Sequence, residues 1–210
     1  MGLVVRFCTL LWDANSTSYS WSQYDESWVD RLARGVRRHA PSDVEFVVYS
    51  DRVREYSEIV TQIVIPRLGL GGYGDCVRPY ADGGPMILVG LDTVVVGDLT
   101  PLVDYCVSAS VLALPRDVYR PSVACNGVAL VPGGVKFKSV RNVVDDMYWC
   151  KSQPHVFIDD VLPGTCVSYK GEIRDRPDRR PADGTSLVYF HGVPKPCNLL
   201  HLDWVEENWR

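Results

Sequence analysis

Met86-Ile-Leu-Val-Gly-Leu-Asp-Thr-Val-Val-Val-Gly-Asp-Leu-Thr-Pro101 is the stretch whose reading decides the fold. An apolar run rises to a single acidic residue, Asp92, continues apolar, and breaks at Gly97 and Asp98. Thr100 is placed to cap a following helix, with Pro101 at its first position, where no N–H is needed. An open α/β sheet presents groups to a ligand in this way, on a buried strand with a carboxylate at its carboxyl end. Carboxylates are also hard oxygen ligands for Mg2+ or Mn2+. The competing reading is a core strand followed by a solvated turn aspartate.

The segments before this stretch fix its setting. Residues 3–11 are continuously apolar and β-branched apart from Arg6, as in a buried strand. Residues 25–39 read as a helix, with Trp28, Leu32 and either Gly35 or Val36 on its apolar stripe. Asp25 and Glu26 lie at its positive end, and Arg37, Arg38 and His39 at its negative end. Residues 44–49 are a second strand closed by Ser50 and Asp51, so the chain opens as a βαβ unit with a parallel sheet. The loop after the first strand then lies at the ligand edge. There Trp12, Tyr19 and Trp21 serve either to stack on a base or sugar or as satellite core.

Residues 59–65 form a further short strand, and 68–75 a glycine-rich loop that lacks both the Walker A and the dinucleotide pattern. It reads as an active-site lid or as a neutral surface loop. Beyond Pro101, residues 111–114 are a strand, and so are 124–131, where Asn126 and Gly127 mark either a hairpin turn or a close backbone approach to a ligand. Residues 137–149 and 156–162 are predicted helical, and 166–170 and 187–190 are predicted strands. A charged, flexible segment spans 171–184, and a tail over 197–210 packs back through Trp204 and Trp209.

At 210 residues, 46% hydrophobic and 23% charged, the chain is expected to be a single domain over 1–210 with ample core material. A net charge of −4 argues against a protein that coats nucleic acid. The seven cysteines show no CxxC spacing, so reduced thiols in a cytoplasmic protein are expected. No run is long enough to span a membrane, and the short apolar amino end fits a first strand better than a signal peptide. G-x-S-x-G, HExxH and kinase signatures are absent. The second polar candidate is His191, at the end of the final strand, with Lys195 four residues on in a proline-rich loop. A carboxylate, an imidazole and a bound cation suit a leaving diphosphate, and a lysine adds a point charge.

Taken in order, these pieces resemble glycosyltransferases of the GT-A fold, and more narrowly the retaining, glycogenin- and LgtC-like group with its small bacterial and phage relatives. The resemblance implies a Rossmann-like, mostly parallel sheet flanked by helices. Residues 89–99 resemble that group's strand end, with Asp92 on the second aspartate of its DxD metal motif and Gly90 on the first. Residues 190–196 resemble its His-x-x-Gly-x-x-Lys-Pro motif.

The resemblance thus implies Mn2+ or Mg2+ held by Asp92 and His191, and a diphosphate held by Gly192 and Lys195. It places Thr9, Leu10, Trp12, Tyr19, Asp51, Arg78 and Leu91 around a nucleoside diphosphate sugar, a UDP-sugar for preference. Asn126 and Gln153 join Asp92 and Lys195 on the sugar side, Gln153 standing where the group has an Asp-Gln pair. Asp159 and Asp160 are either substitutes for that pair or inert helix-surface groups. The acceptor is a glycan, a lipid-linked sugar, a protein or a modified DNA base. The DNA reading requires Arg174, Arg176, Arg179, Arg180 and the arginines of 31–38 to share the pocket's face. A nucleotide-sugar or glycan-binding protein without catalysis is the remaining reading.

Overall fold

A computed structural model describes residues 4–13, 24–70 and 72–210. The first apolar run becomes β1 (Val5–Leu11), with Phe7 and Cys8 fully buried. Arg6 is tolerated there because its guanidinium reaches the rim, donating to the Tyr49 hydroxyl at 3.3 Å and to the Gly83 carbonyl. Asp25 caps α1 (Glu26–His39), accepting from the Ser27 N–H at 3.0 Å. β2 (Val44–Ser50) runs parallel to β1, and β3 (Thr61–Val64) runs parallel to β2.

The stretch that decides the fold is divided between two sheets. β4 (Met86–Val89) pairs parallel with β1, and the chain then turns over residues 90–93, the Thr93 N–H donating to the Gly90 carbonyl at 3.1 Å. β5 (Val94–Val95) continues into a different sheet. The later strands are β6 (Leu112–Leu114), β7 (Arg116–Asp117), β8 (Arg120–Ala124), β9 (Val128–Val131), β10 (His155–Phe157), β11 (Cys166–Ser168) and β12 (Leu187–Tyr189). The main sheet has seven strands in the order β10-β6-β9-β4-β1-β2-β3, and only β9 runs against its neighbours. The second sheet is β11-β12-β5, and β7 with β8 forms a small ribbon. The remaining helices are α2 (Thr100–Ser108), α3 (Asp146–Lys151), α4 (Ile158–Val161) and α5 (Asp203–Asn208). The fold is α/β, a mostly parallel sheet flanked by helices, as the sequence predicts.

Strand alternation gives the main sheet a core on each face. Phe7, Val48, Ile87 and Val89 pack toward α1, α2 and the second sheet. Cys8, Val47, Tyr49, Met86 and Leu88 pack toward Tyr80 and Trp149. The tail closes over α1, with Trp209 edge-on to Trp28 at 4.8 Å and the Arg31 guanidinium 4.5 Å over its ring.

Several local expectations are corrected. The helix predicted over 137–149 is confined to α3. Asn142 takes a left-handed φ of 58°, which no α-helix accommodates, and Asp145 starts the helix late by accepting from the Tyr148 N–H at 2.6 Å. Thr100 is not a cap. It is itself held by Asp98, whose carboxylate accepts its N–H at 2.9 Å and its hydroxyl at 2.7 Å. Asn126 and Gly127 make no hairpin, since β8 and β9 lie in different sheets. Of the predicted glycine-rich loop at 68–75, residues 68–70 remain in a turn and residues 72–75 begin a 3-10 helix over Gly72–Asp82. The predicted helix at 156–162 is half strand, β10, and half α4.

Candidate functional site

A cavity of about 670 Å³ opens where the main sheet meets the second sheet, within the range of small-ligand sites. Leu10 and Trp12 bring the end of β1 to it, residues 90–92 the turn after β4, Asn126 and Gly127 the start of β9, and Tyr189 to Val193 the end of β12. The turn that splits the apolar run between two sheets therefore places Asp92 at their junction.

Asp92 forms a buried ion pair with Lys195, and the Asp92 and Lys195 residues are only 9% and 6% exposed. The same carboxylate oxygen accepts the Tyr24 hydroxyl at 3.1 Å, and the Lys195 ammonium lies 5.7 Å from the Tyr24 ring centre. Lys195 is fixed from behind by its own N–H, which donates to the Asn198 side chain at 2.9 Å at the head of a 3-10 turn. Two charges this shielded persist only when paired.

His191 stands between the Tyr119 ring, edge-on at 5.9 Å, and the Tyr189 ring at 6.3 Å. Its Nε2 is buried with no hydrogen-bond partner among the described residues. Burial, reinforced by the Lys170 ammonium, holds the imidazole below its usual pKa range, so it is neutral at pH 7. Asn126 donates to the Asp146 carboxylate at 2.5 Å, while burial pushes the Asp146 pKa up. Asp117 is also partly buried, but the N–H groups of Tyr119 and Arg120 outweigh this and hold its pKa down. Gly127 permits a tight wall here, since a β-carbon on it would lie 2.6 Å from the Tyr189 ring.

Of the residues predicted from sequence, Asp92, His191, Gly192, Lys195, Asn126, Leu10, Trp12 and Leu91 line this cavity. Four others lie outside its lining. Gln153 is buried with its amide committed to the Lys138 N–H at 3.1 Å and the Trp149 carbonyl at 3.0 Å. The Thr9 hydroxyl donates to the Val89 carbonyl at 3.0 Å. Asp51 belongs to a cluster in which Arg54 also meets Asp13 and Glu26. Arg78 lies 4.0 Å from Asp75. Tyr19 and Trp21 lie outside the described residues.

Asp159 and Asp160 both hold Arg116, the first through its N–H at 3.0 Å and the second through its guanidinium at 2.7 Å. The arginines required by the DNA reading do not gather at the cavity. Arg34 and Arg37 meet Glu58, Arg38 donates to the Asn208 carbonyl, Arg174 meets Asp175, and Arg179 donates to the Tyr169 hydroxyl. Sequence reasoning missed Tyr24, Asp117, Tyr119, Asp146 and Tyr189. Only Tyr189 carried a signal, as an aromatic residue of the last strand two residues before His191.

The GT-A resemblance implies a divalent ion, and the residues present do not fit one. Among the described residues, no three His, Cys, Asp or Glu side chains are grouped to hold a metal. Gly90 supplies no carboxylate, and a β-carbon added there would stand 2.8 Å from Asp92 Oδ1. The carboxylate that remains is already engaged by an ammonium and a phenol.

No family profile and no curated protein sequence matches the chain. Solved structures do match its fold. The galactosyltransferase LgtC, in complex with donor and acceptor sugar analogues, superposes with a TM-score of 0.59 at 12% identity, over 96% of this chain and 94% of that one. The glycosyltransferase GlyE of Streptococcus pneumoniae gives 0.56 at 14% identity, over 99% of this chain and 61% of GlyE. The bifunctional glycosyltransferase WbbM gives 0.53 at 12% identity, over 93% of this chain and 47% of WbbM. The chain therefore has a GT-A-like glycosyltransferase fold, and spans nearly all of LgtC but under two thirds of the other two.

Proposed function

We propose that the protein transfers a sugar from a nucleoside diphosphate sugar, a UDP-sugar by preference, to an acceptor hydroxyl. The observation that carries this reading is the buried pair of Lys195 and Asp92 at the junction of the two sheets, inside a cavity of suitable size. The base lies against Leu10 and Trp12, and the diphosphate over Gly192 and Lys195. The sugar points toward Asn126 and Asp146. The bond from the anomeric carbon to the diphosphate oxygen breaks with its electron pair going to the diphosphate, whose growing charge the Lys195 ammonium stabilises. The acceptor oxygen forms the new bond to that carbon, and its proton passes to the departing diphosphate.

The acceptor is a glycan, a lipid-linked sugar or a protein. The dispersed arginines disfavour DNA, which needs a positive surface around the pocket. No helix among the described residues is long and apolar enough to cross a membrane. A thermal-shift screen of nucleotide sugars identifies the base and sugar together, because a ligand that binds only the folded state raises the melting temperature. Hydrolysis of the stabilising donor is then compared between wild type and Asp92→Ala. Loss of hydrolysis in the variant is expected, and equal hydrolysis by both sinks the site assignment. Stabilisation without hydrolysis or transfer by wild type supports the binding-protein reading instead.

A further inference from the structure

We propose that two lysines, Lys195 and Lys170, take the place of a divalent ion in holding the donor's diphosphate, so that this site binds it without metal. The inference rests on the nucleotide-sugar reading above and specifies how the diphosphate is bound.

Lys170 stands two residues past β11, and its ammonium lies against the backbone of Gly192, where an added β-carbon would be 3.1 Å from Nζ. Gly192 is in the cavity wall, two residues before the loop that carries Lys195 inward. No carboxylate pairs with Lys170 among the described residues. Burial holds the Lys170 ammonium below the usual lysine range, and repulsion from Arg174 and Lys195 acts in the same direction. An anion brought between Lys170 and Lys195 relieves that repulsion. A dianionic diphosphate has the charge for this contact.

The charge balance supports the same conclusion. A DxD site with two carboxylates, a divalent ion and one lysine carries one net positive charge. One carboxylate with two lysines carries the same. Gly90 removes the second carboxylate, and Asp92 is left as the acid of that turn. The His191 Nε2, buried and unpartnered, supplies one neutral hydrogen bond to a phosphate oxygen rather than a ligand to a metal.

The test is calorimetric binding of UDP and of uridine to the whole chain, in EDTA and in Mn2+, with ADP, CDP and GDP in parallel. We expect the preferred diphosphate to bind equally in both buffers, within about twofold. Lys170→Ala should weaken its affinity about tenfold, with Lys170→Arg restoring most of it and uridine binding unchanged. The melting temperature of ligand-free Lys170→Ala reports whether the fold is intact, so a misfolded Lys195→Ala does not decide the matter. Binding only with Mn2+, or wild-type affinity in Lys170→Ala, overturns the inference and leaves the proposed function standing. Failure of every nucleoside diphosphate to bind in either buffer overturns both.

Discussion

Asp92 does two things that a solvated turn aspartate does not. It neutralises a buried ammonium, and it anchors Tyr24 from the approach to α1. Asp92→Asn should therefore leave Lys195 buried without a counter-charge. We expect it to lose about 1–3 kcal/mol of stability in urea denaturation, less than a fully enclosed pair because the cavity admits water. Adding Lys195→Met to that variant should recover part of the loss, since the uncompensated charge is then gone. The neighbouring position makes a complementary prediction. Gly90→Asp places a second carboxylate beside Asp92, and Mn2+ titrated into this variant should give a bound electron-paramagnetic-resonance signal that wild type lacks. A bound signal in wild type would contradict the two-lysine site. Asp92 stood out in the sequence as the lone acid of an apolar run, and His191 and Lys195 as the polar groups after the last strand, and all three line the cavity. Lys170 and Tyr24 did not stand out, because each owes its place to a contact across more than twenty residues that no local pattern records.

At the scale of elements, β1, α1, β2 and β4 follow from periodicity, caps and apolar runs, but most of the cavity lining comes from later segments, the 3-10 helix, the start of β9, α3 and the chain after β12. What periodicity does not show is that one apolar run serves two sheets. Met86 to Val89 and Val94 to Val95 are equally apolar, and only the pairing of β5 with β12 separates them. The helix over 137–149 failed for a related reason. Its valines do recur at helical spacing, but Asn142 and the Asp145 cap break it from within.

The Gly127 turn makes an element-level prediction. Gly127→Ala drives a methyl into the Tyr189 ring, shifting β9 against β12, and should lower stability by about 1–3 kcal/mol and weaken donor binding with it. The end of α1 makes a second. Burial, with Arg38 beside it, holds His39 below its usual pKa range. Between that lowered value and about 6.5, the unfolded chain binds more protons than the folded one, so stability rises with pH through this window. In His39→Gln this contribution disappears. The difference in unfolding free energy between variant and wild type should be flat above about pH 6.5 and move in the variant's favour as pH falls. A parallel pair of curves would show that His39 takes no part.

At the scale of the whole molecule, the cavity lies at the seam between the sheets, while the end of the tail lies against α1 through Trp209. Stability and ligand binding should thus be separable at Trp209. Trp209 tests the separation because its ring is buried against Trp28 and under Arg31, yet its Nε1 has no partner among the described residues. Trp209→Ala removes the ring and opens a void, which should cost about 3–5 kcal/mol. Trp209→Phe keeps most of the aromatic contact and removes an unsatisfied N–H, so its net effect should be within about 1 kcal/mol of wild type. In both variants the affinity for the preferred nucleoside diphosphate, measured well below the melting temperature, should stay within about twofold of wild type. If Trp209→Ala loses affinity while still folded, the tail holds the cavity in shape through α1 and Tyr24. The Tyr24 ring packs edge-on to Trp28 at 4.8 Å, and Trp28 in turn meets Trp209. That chain of rings is a continuous path of side chains from the tail to Asp92, and Tyr24→Phe distinguishes its two ends. It keeps the ring packing but removes the hydroxyl that Asp92 accepts, so it should change donor affinity and leave the tail's contribution to stability intact.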